Sequence, residues 1–327
     1  MKTCLYHSTD CTDPYRNLAL EEMLFNTIQP GEVLLYLWQN ENTVVIGRNQ
    51  NAWRECRLES FSAQNGRLAR RLSGGGAVFH DLGNQNFTFI APCGLYDVER
   101  QTEVIRLAAG SFGIEVKRSG RNDILADGRK FSGNAFHQNT TTAFHHGTIL
   151  ISSNLGCLAE FLAPPPEKLA AKGVKSVRAR VINLCEINPN ITPAKMRDAL
   201  IEAFGVAYGL APKPLPLLRI DAGELDKRSA HYASDTWRLG RFSGFSYTID
   251  RRFSFGGLAF HLSVDNGQVI DAKVYSDAMD ASWVQEIERN LQGLAFASPA
   301  IADAIPDSLQ NPSDAEELRV FFRQIVL

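Results

Sequence analysis

The sequence predicts an α+β protein with a mixed sheet, followed by a small second α+β domain. Three observations carry this. Strand-like and helix-like stretches mix through the first 240 residues without a regular βαβ repeat. A break falls near Gly240–Gly244, and three strand-like runs and two helical patterns follow it. The 327 residues, 44% hydrophobic and 21% charged, suffice for two domains of ordinary soluble composition. We place the domains at 1–240 and 246–327.

Taken in order, Asp13-Pro14 has the form of a helix N-cap with proline at the first helical position. Leu18, Ala19, Met23 and Thr27 then recur at helical spacing. Val33–Leu37 and Thr43–Ile46 read as strands around the polar turn Gln39–Asn42, and Gly47–Asn51 closes the second with a polar run. On spacing, that run is a turn after a buried strand, with support of a neighbouring site by Arg48 as the rival. Ala77-Val78-Phe79 reads as a short buried strand and Asn86–Ile90 as another, with Phe87 and Phe89 alternating. Glu103–Phe112 reads as a helix and Ile114–Val116 as a strand. Asp127-Gly128 is a hairpin signal, and Ile149–Ile151 is an apolar strand. Pro164–Pro166 precedes a basic, Gly-interrupted segment, Lys168–Arg180, expected to be a mobile loop. Thr192-Pro193 opens a helix through Met196, Leu200, Ile201 and Phe204. Beyond the break, Phe245–Ile249, Leu258–Val264 and Val269–Tyr275 form a meander, with helical patterns at Ala281–Leu291 and Leu318–Ile325.

Composition excludes several classes. The net charge of −2 and the lack of a basic stripe argue against nucleic acid as a partner. No run of about 18 apolar residues signals a membrane span. The N-terminus has no secretory h-region, so the six cysteines are expected as reduced thiols in a cytoplasmic protein. No Cys-x-x-Cys pair or His/Cys cluster has zinc spacing.

Three stretches carry chemistry. Arg70-Arg71-Leu72-Ser73-Gly74-Gly75-Gly76-Ala77-Val78-Phe79-His80-Asp81 places three glycines between two arginines and an apolar run. Successive N–H groups turned inward make an anion site, and arginine adds forked donors. A Gly-rich turn with a solvated arginine pair is the alternative. No Gly-Lys-Ser/Thr follows, so this is not a P-loop. In Ser119–Ile124 and Arg129–Ala135, Asp123 could hold magnesium with phosphate oxygens, and Lys130 could point into a cleft and stabilise a developing negative charge. A turn carboxylate and a solvated lysine are the plainer readings of each alone. In Phe144-His145-His146-Gly147-Thr148, adjacent histidines on a strand face opposite ways, so one is expected inside and one outside, and at most one reaches a site.

Together these stretches resemble the lipoate–protein ligases. Arg70–Asp81 matches that family's Arg-Arg-x-Ser-Gly-Gly-Gly-Ala-Val-Phe/Tyr-His-Asp pattern. In order, so do Asn17–Glu22, Val44–Asn51, Gly120–Asp123, Arg129–Gly133, Phe144–Thr148 and Lys172–Arg178. The C-terminal segment resembles the accessory domain of the long bacterial type. The resemblance implies a catalytic domain similar to those of biotin protein ligases and class II aminoacyl-tRNA synthetases. It implies a two-step reaction: lipoate and Mg·ATP give lipoyl-AMP, then a carrier lysine takes the lipoyl group and AMP leaves. The implied partners are apo lipoyl domains of 2-oxoacid dehydrogenase E2 subunits and the glycine cleavage H protein.

Carried over by motif, Arg71, Gly76, Ala77, Val78, Phe79 and Lys130 bind ATP. Lys130 also contacts the lipoyl carboxyl and is the catalytic residue. Arg70, Ser73 and Gly75 lie along the lipoyl-AMP, and His146 lines the lipoyl end beside Leu18 and Val45, where an apolar tunnel is expected. Lys172, Gly173, Ser176, Val177 and Arg178 belong to the adenylate-binding loop, and Asp123 is the magnesium or pyrophosphate-side contact, with Asn122 its polar neighbour.

The nearest rival is a cysteine-dependent octanoyl- or lipoyl-transferase of similar fold, which needs no ATP. Cys93 and Cys157 are its candidate nucleophiles, and Leu155–Leu158 reads as buried helix. A rival of another class is a binding module that has lost catalysis. Retention of Lys130 and Asp123, and the lack of an N-terminal helix-turn-helix, argue against it.

Overall fold

The structure, a computed structural model, describes residues 3–120, 122–161, 180–239, 247–265, 267–279, 283–307, 309 and 311–325. The expectations on Arg121, on most of Lys168–Arg180 and on Gly240–Gly244 lie outside the described residues.

The chain falls into two compact units. In order, its elements begin β1 (Thr3–Ser8), α1 (Pro14–Thr27), β2 (Glu32–Trp38), β3 (Thr43–Ile46), α2 (Ala52–Glu55), α3 (Leu58–Ala63), β4 (Arg67–Arg70), β5 (Val78–His80) and β6 (Asn84–Pro92). Next come α4 (Val98–Gly110), β7 (Val116–Ser119), β8 (Asp123–Ala126), β9 (Arg129–Gln138), β10 (Thr142–Leu150) and α5 (Leu155–Phe161). Then follow α6 (Pro193–Tyr208), β11 (Lys213–Pro214), α7 (Ala222–Ala233) and α8 (Asp235–Arg238). The last are β12 (Tyr247–Phe253), β13 (Gly256–Asp265), β14 (Gln268–Ser276), α9 (Val284–Leu291), α10 (Ser298–Asp303) and α11 (Pro312–Gln324).

The first unit holds an eight-stranded mixed sheet in the order β11-β1-β2-β6-β10-β9-β8-β7. β1 runs parallel to β2 and β11, and the pairs from β2 to β7 are antiparallel. A second sheet, β4-β3-β5, carries the ends of the Gly-rich stretch. Both faces of the large sheet are covered. Phe87, Phe89 and Phe131 pack with Val104, Ala108, Leu200 and Phe204 of α4 and α6. The opposite face carries Thr88 and His146, which bond to Glu21 of α1.

Local chemistry sets the helix starts. Asp13 Oδ1 accepts from Tyr15 N at 2.8 Å with Pro14 at the first position, and Thr192 caps α6 ahead of Pro193. Gly209 closes α6 at φ +65°, a left-handed cap that glycine adopts without strain. The helix expected at Glu103–Phe112 starts earlier, at Val98, because Asp97 accepts from Arg100 N at 3.0 Å and caps it. The strand expected at Ile114–Val116 is instead Val116–Ser119. Its register comes from the hairpin with β8, Val116 opposite Ala126 and Ser119 opposite Asp123, not from apolar side chains. Asp127 and Gly128, at φ 50° and 72°, make the predicted tight hairpin turn. Phe144–Thr148 and Ile149–Leu150 share the single strand β10.

The second unit contains residues 239–327 together with Ile46–Ala52 and Arg71–Gly76. Its sheet is the antiparallel meander β12-β13-β14, in which β13 and β14 extend slightly beyond their expected bounds and β12 runs on to Phe253. Val284, Ile287 and Leu291 of α9 and Leu318 and Phe322 of α11 complete its core, with Phe260 edge-on to Phe322 at 4.9 Å.

Candidate active site

In the first unit, α1 lays a polar row against the sheet. Asn17 Nδ2 donates to the carbonyls of Cys11 and Gln39 and to Asn40 Oδ1, and Tyr36 OH donates to Asn17 Oδ1. One turn on, the buried Glu21 carboxylate accepts from Thr88 Oγ1 at 2.6 Å and stands 2.8 Å from His146 Nδ1, both at Oε1. Thr88 in turn accepts from Trp38 Nε1 at 3.1 Å. Leu18 and Val45 are buried, Leu18 one helical turn before Glu21. The His146 end, expected as an apolar tunnel, therefore has Thr88, Glu21 and His146 among its residues. An aliphatic pattern on α1 does not show that its glutamate turns inward.

Both histidines of β10 are buried, His145 1% exposed and His146 6%. The expectation of one inside and one outside is corrected: they do face opposite ways, but helices cover both faces. Asn134 Nδ2 donates to Asn122 O at 3.0 Å, so its Oδ1 accepts from His145 Nε2 at 2.8 Å. His145 Nδ1 lies 3.2 Å from Gln101 Oε1. Burial, then the charges of His146 and Arg118, pull the His145 pKa down to about 3, so its ring is neutral.

Lys130 is the second residue of β9, next to a β-bulge. Its main chain is held on both sides: its N–H donates to Arg180 O at 2.7 Å, and Ile182 N–H donates to its carbonyl at 2.9 Å. Nζ lies 2.6 Å from Asp123 Oδ1. Asp123 faces Gly133 across the ladder, and a Cβ on Gly133 would come within 3.0 Å of Lys130 Cε and Nζ. The ammonium thus rests in the space a side chain would fill. Gly133 N–H donates to Thr148 Oγ1 at 3.3 Å. The structure pairs Asp123 with Lys130. Among the described residues no group of three or more His, Cys, Asp or Glu could hold a metal ion. One carboxylate already paired with an ammonium does not fit a resident divalent cation.

Arg70 and Arg71 behave differently. Arg70, buried, donates from Nε to Trp237 O at 2.9 Å and from Nη2 to Arg238 O at 2.8 Å, and Trp237 Nε1 donates back to Arg70 O. Val78 and Phe79 lie on β5, antiparallel to Val45 and Val44 of β3, with Phe79 packed near Phe61 and Phe161.

Arg71, Ser73, Gly74, Gly75 and Gly76 belong to the second unit. Arg71 Nη2 donates to the carbonyls of Gly74 and Gly76 at 2.7 and 2.8 Å, and Nε donates to Ser73 Oγ. Gly75, at φ +91°, donates its N–H to Ala278 O at 2.9 Å. A Cβ on Gly74 would sit 2.4–2.5 Å from the carbonyl oxygens of Ala278 and Met279. The expected cradle of inward N–H groups is corrected: two loop carbonyls point at the Arg71 guanidinium, and one N–H is used by Ala278. Composition cannot distinguish these, because glycine permits either orientation.

Leu155–Phe161 is helical, but Cys157 is half-buried rather than buried, and Cys93 is exposed. Burial, with the charges of Glu160 and Asp81, raises the Cys157 thiol. A raised thiol is the opposite of an activated one at Cys157. Lys172, Gly173, Ser176, Val177 and Arg178 lie outside the described residues. No described helix is long and apolar enough to cross a membrane.

The family model described as the lipoyl protein ligase A/B catalytic domain matches residues 13–205, and that of the bacterial lipoate protein ligase C-terminus matches 243–316. The chain is 40% identical over 308 residues to lipoate-protein ligase A of Bdellovibrio bacteriovorus, covering 91% of this chain and 90% of that one. It is similar to the crystal structure of P. falciparum LipL1 in complex with lipoate, at TM-score 0.85 and 30% identity over 99% of this chain and 100% of that one. The fold also matches a bi-partite lipoate protein ligase from Thermoplasma acidophilum, studied with its E2 lipoyl domain, at TM-score 0.64 and 23% identity over 76% of this chain and 100% of that one. With a catalytic-domain match over more than half its length and a relative this similar along nine-tenths of it, the chain belongs to the lipoate–protein ligases.

Proposed function

We propose that this ligase activates lipoate with ATP to lipoyl-AMP and then transfers the lipoyl group to a lysine of an apo lipoyl domain. A free carboxylate is a poor electrophile, and adenylation supplies a stabilised leaving group. The observation that carries the reading is Lys130, its ammonium placed over Gly133 on a main chain held from both sides. A compact cation in a fixed position suits two oxygens that gain charge together, one on the acyl group and one on the α-phosphate. That the P. falciparum relative was solved with lipoate supports lipoate as the acyl substrate.

For the remaining residues we propose ATP contacts at Arg71, Gly76, Ala77, Val78 and Phe79, and lipoate contacts at Leu18, Val45, Ser73, Gly75 and His146. Arg70 reaches the adenylate by giving up carbonyl bonds to Trp237 and Arg238. Lys172, Gly173, Ser176, Val177 and Arg178 are further adenylate contacts in this proposal. Magnesium comes with the ATP phosphates rather than as a resident ion. The acceptors are E2 lipoyl domains and the glycine cleavage H protein, met in the cytoplasm, and the domain limits 1–240 and 246–327 separate adenylation from the accessory part.

The test mixes the protein, Mg·ATP, lipoate and an apo lipoyl domain. AMP should appear with a mass gain on the acceptor, and lipoate should drive ATP–pyrophosphate exchange. Absence of AMP with every substrate present would sink the reading. Lys130→Ala should lose more than a single oxyanion donor contributes, about 3–4 kcal/mol or at least 10²-fold in rate. A wild-type rate in that variant would remove Lys130 from the mechanism.

A further inference from the structure

We infer that the free edge of β7 is the docking surface for the protein acceptor, and that it takes an acidic β-strand of that acceptor. Given the two-step reading above, the acceptor must bring a lysine to an acyl adenylate held beside Lys130. Part of its main chain therefore lies at the rim of that site, and β7 forms the rim. In the ladder Lys117 is opposite Leu125, which is opposite Lys130, and Ser119 is opposite Asp123, which is opposite Gly133. Residues opposite one another point to the same face of a sheet, so Lys117 and Ser119 share the face of the Lys130–Asp123 pair.

The two ends of the eight-stranded sheet are finished differently. At one end is β11, two residues long with a proline that has no N–H to give, which blunts the edge. At the other is β7, four residues without proline. Among the described residues no strand pairs with its outer side, and none of its main-chain groups bonds outside the hairpin with β8. Lys117, Arg118 and Ser119 are exposed, and neither cation has an ion-pair partner among the described residues.

Such an edge is a template for strand addition, in which main-chain bonds give affinity and side chains select the partner. A second copy of this chain, added antiparallel in register along the same edge, would set Lys117 and Arg118 against their counterparts. Like charges opposite one another oppose that pairing. A strand carrying carboxylates on both faces is favoured instead, because Lys117 and Arg118 are adjacent and point to opposite faces. Distance sets the shape of the partner. A strand added outside β7 runs three strand spacings, roughly 14 Å, from β9. The four-carbon stem of a lysine does not span that gap. The target lysine therefore sits in a turn beyond the docking strand, and that turn folds over Ser119 and Asp123 towards Lys130. A lysine-bearing β-hairpin with acidic flanks meets these terms.

The full chain tests this with an apo lipoyl domain made in two forms, with glutamates or with lysines in the strands flanking the turn that carries the target lysine. Wild type should use the glutamate form about tenfold more efficiently in kcat/KM, and the preference should shrink as salt is added. Lys117→Glu/Arg118→Glu should reverse the preference. Lipoate-driven ATP–pyrophosphate exchange, which needs no acceptor, should stay within about twofold of wild type in that variant, separating docking from folding and adenylation. In the wild type, hydrogen exchange at the Val116–Ser119 amides should slow when the glutamate form is bound. Equal use of the two acceptor forms by the wild type overturns the inference, as does unchanged hydrogen exchange at β7 with acceptor bound; neither measurement depends on a variant. A wild type that makes no AMP from ATP and lipoate counts against the ligase reading instead, and hydrogen exchange with the acceptor still tests the edge.

Discussion

His145 is the residue whose role differs most from its position in the motif. It binds nothing outside the core and holds Asn134, which holds Asn122 O beside Asp123. Its folded pKa of about 3 lies below the ordinary value of 6.5, so the unfolded chain takes up a proton first as pH falls. The stability it supports is complete above about pH 6.5 and declines as pH drops towards 3, by about 2 kcal/mol at pH 5. Urea unfolding at pH 7 and pH 5 should show this loss in the wild type and a smaller one in His145→Gln; equal losses would remove His145 as the cause. The sequence showed that the two histidines face apart, because strand geometry requires it. It did not show that both are covered, because burial on the second face comes from α4 and α6, far along the chain. The pairing of Asp123 with Lys130 was similarly opaque, because it depends on the register that sets Asp123 opposite Gly133.

At the scale of elements, the starts and stops with local causes were legible. Asp13-Pro14, Thr192-Pro193 and Asp127-Gly128 each signal their geometry within a few residues. Elements that owe their existence to distant partners were not. β1 is defined by its parallel pairing with β2, and α7 is a largely polar helix that buries Leu225 and Tyr232. Because local caps carry part of the stability, Gly209→Ala should destabilise the first unit by about 1 kcal/mol, through the left-handed conformation at φ +65° that alanine disfavours. Calorimetry on the variant checks this, and an unchanged Tm would show that the last turn relaxes without strain.

For the whole molecule, the choice between ligation and thioester transfer turns on cysteine. Cys157 is half-buried with its thiol raised, and Cys93 is exposed. Cys157→Ser should leave ligation of an apo lipoyl domain within about twofold of wild type, since an exposed-to-intermediate Cys-to-Ser change alters little else. Loss of activity there would return the thioester route to consideration. The division into units was only partly readable. The meander after the glycine-rich break stood out, but the assignment of Ile46–Ala52 and Arg71–Gly76 to the same unit did not. Those segments carry loop motifs, and their packing depends on Gly74, which admits the Ala278 and Met279 carbonyls, and Gly47, which admits that of Gly75, where a Cβ would collide.

The reciprocal bonding of Arg70 and Trp237 has an optical consequence. The indole N–H donates to the Arg70 carbonyl while the arginine donates to the tryptophan carbonyl, so the fluorophore and the motif arginine share one hydrogen-bonded ring. Indole emission responds to the polarity and bonding of its N–H. Any ligand that draws Arg70 away also alters the light emitted by Trp237. The chain thus carries an intrinsic, label-free reporter of that arginine, readable in a stopped-flow instrument on the timescale of binding.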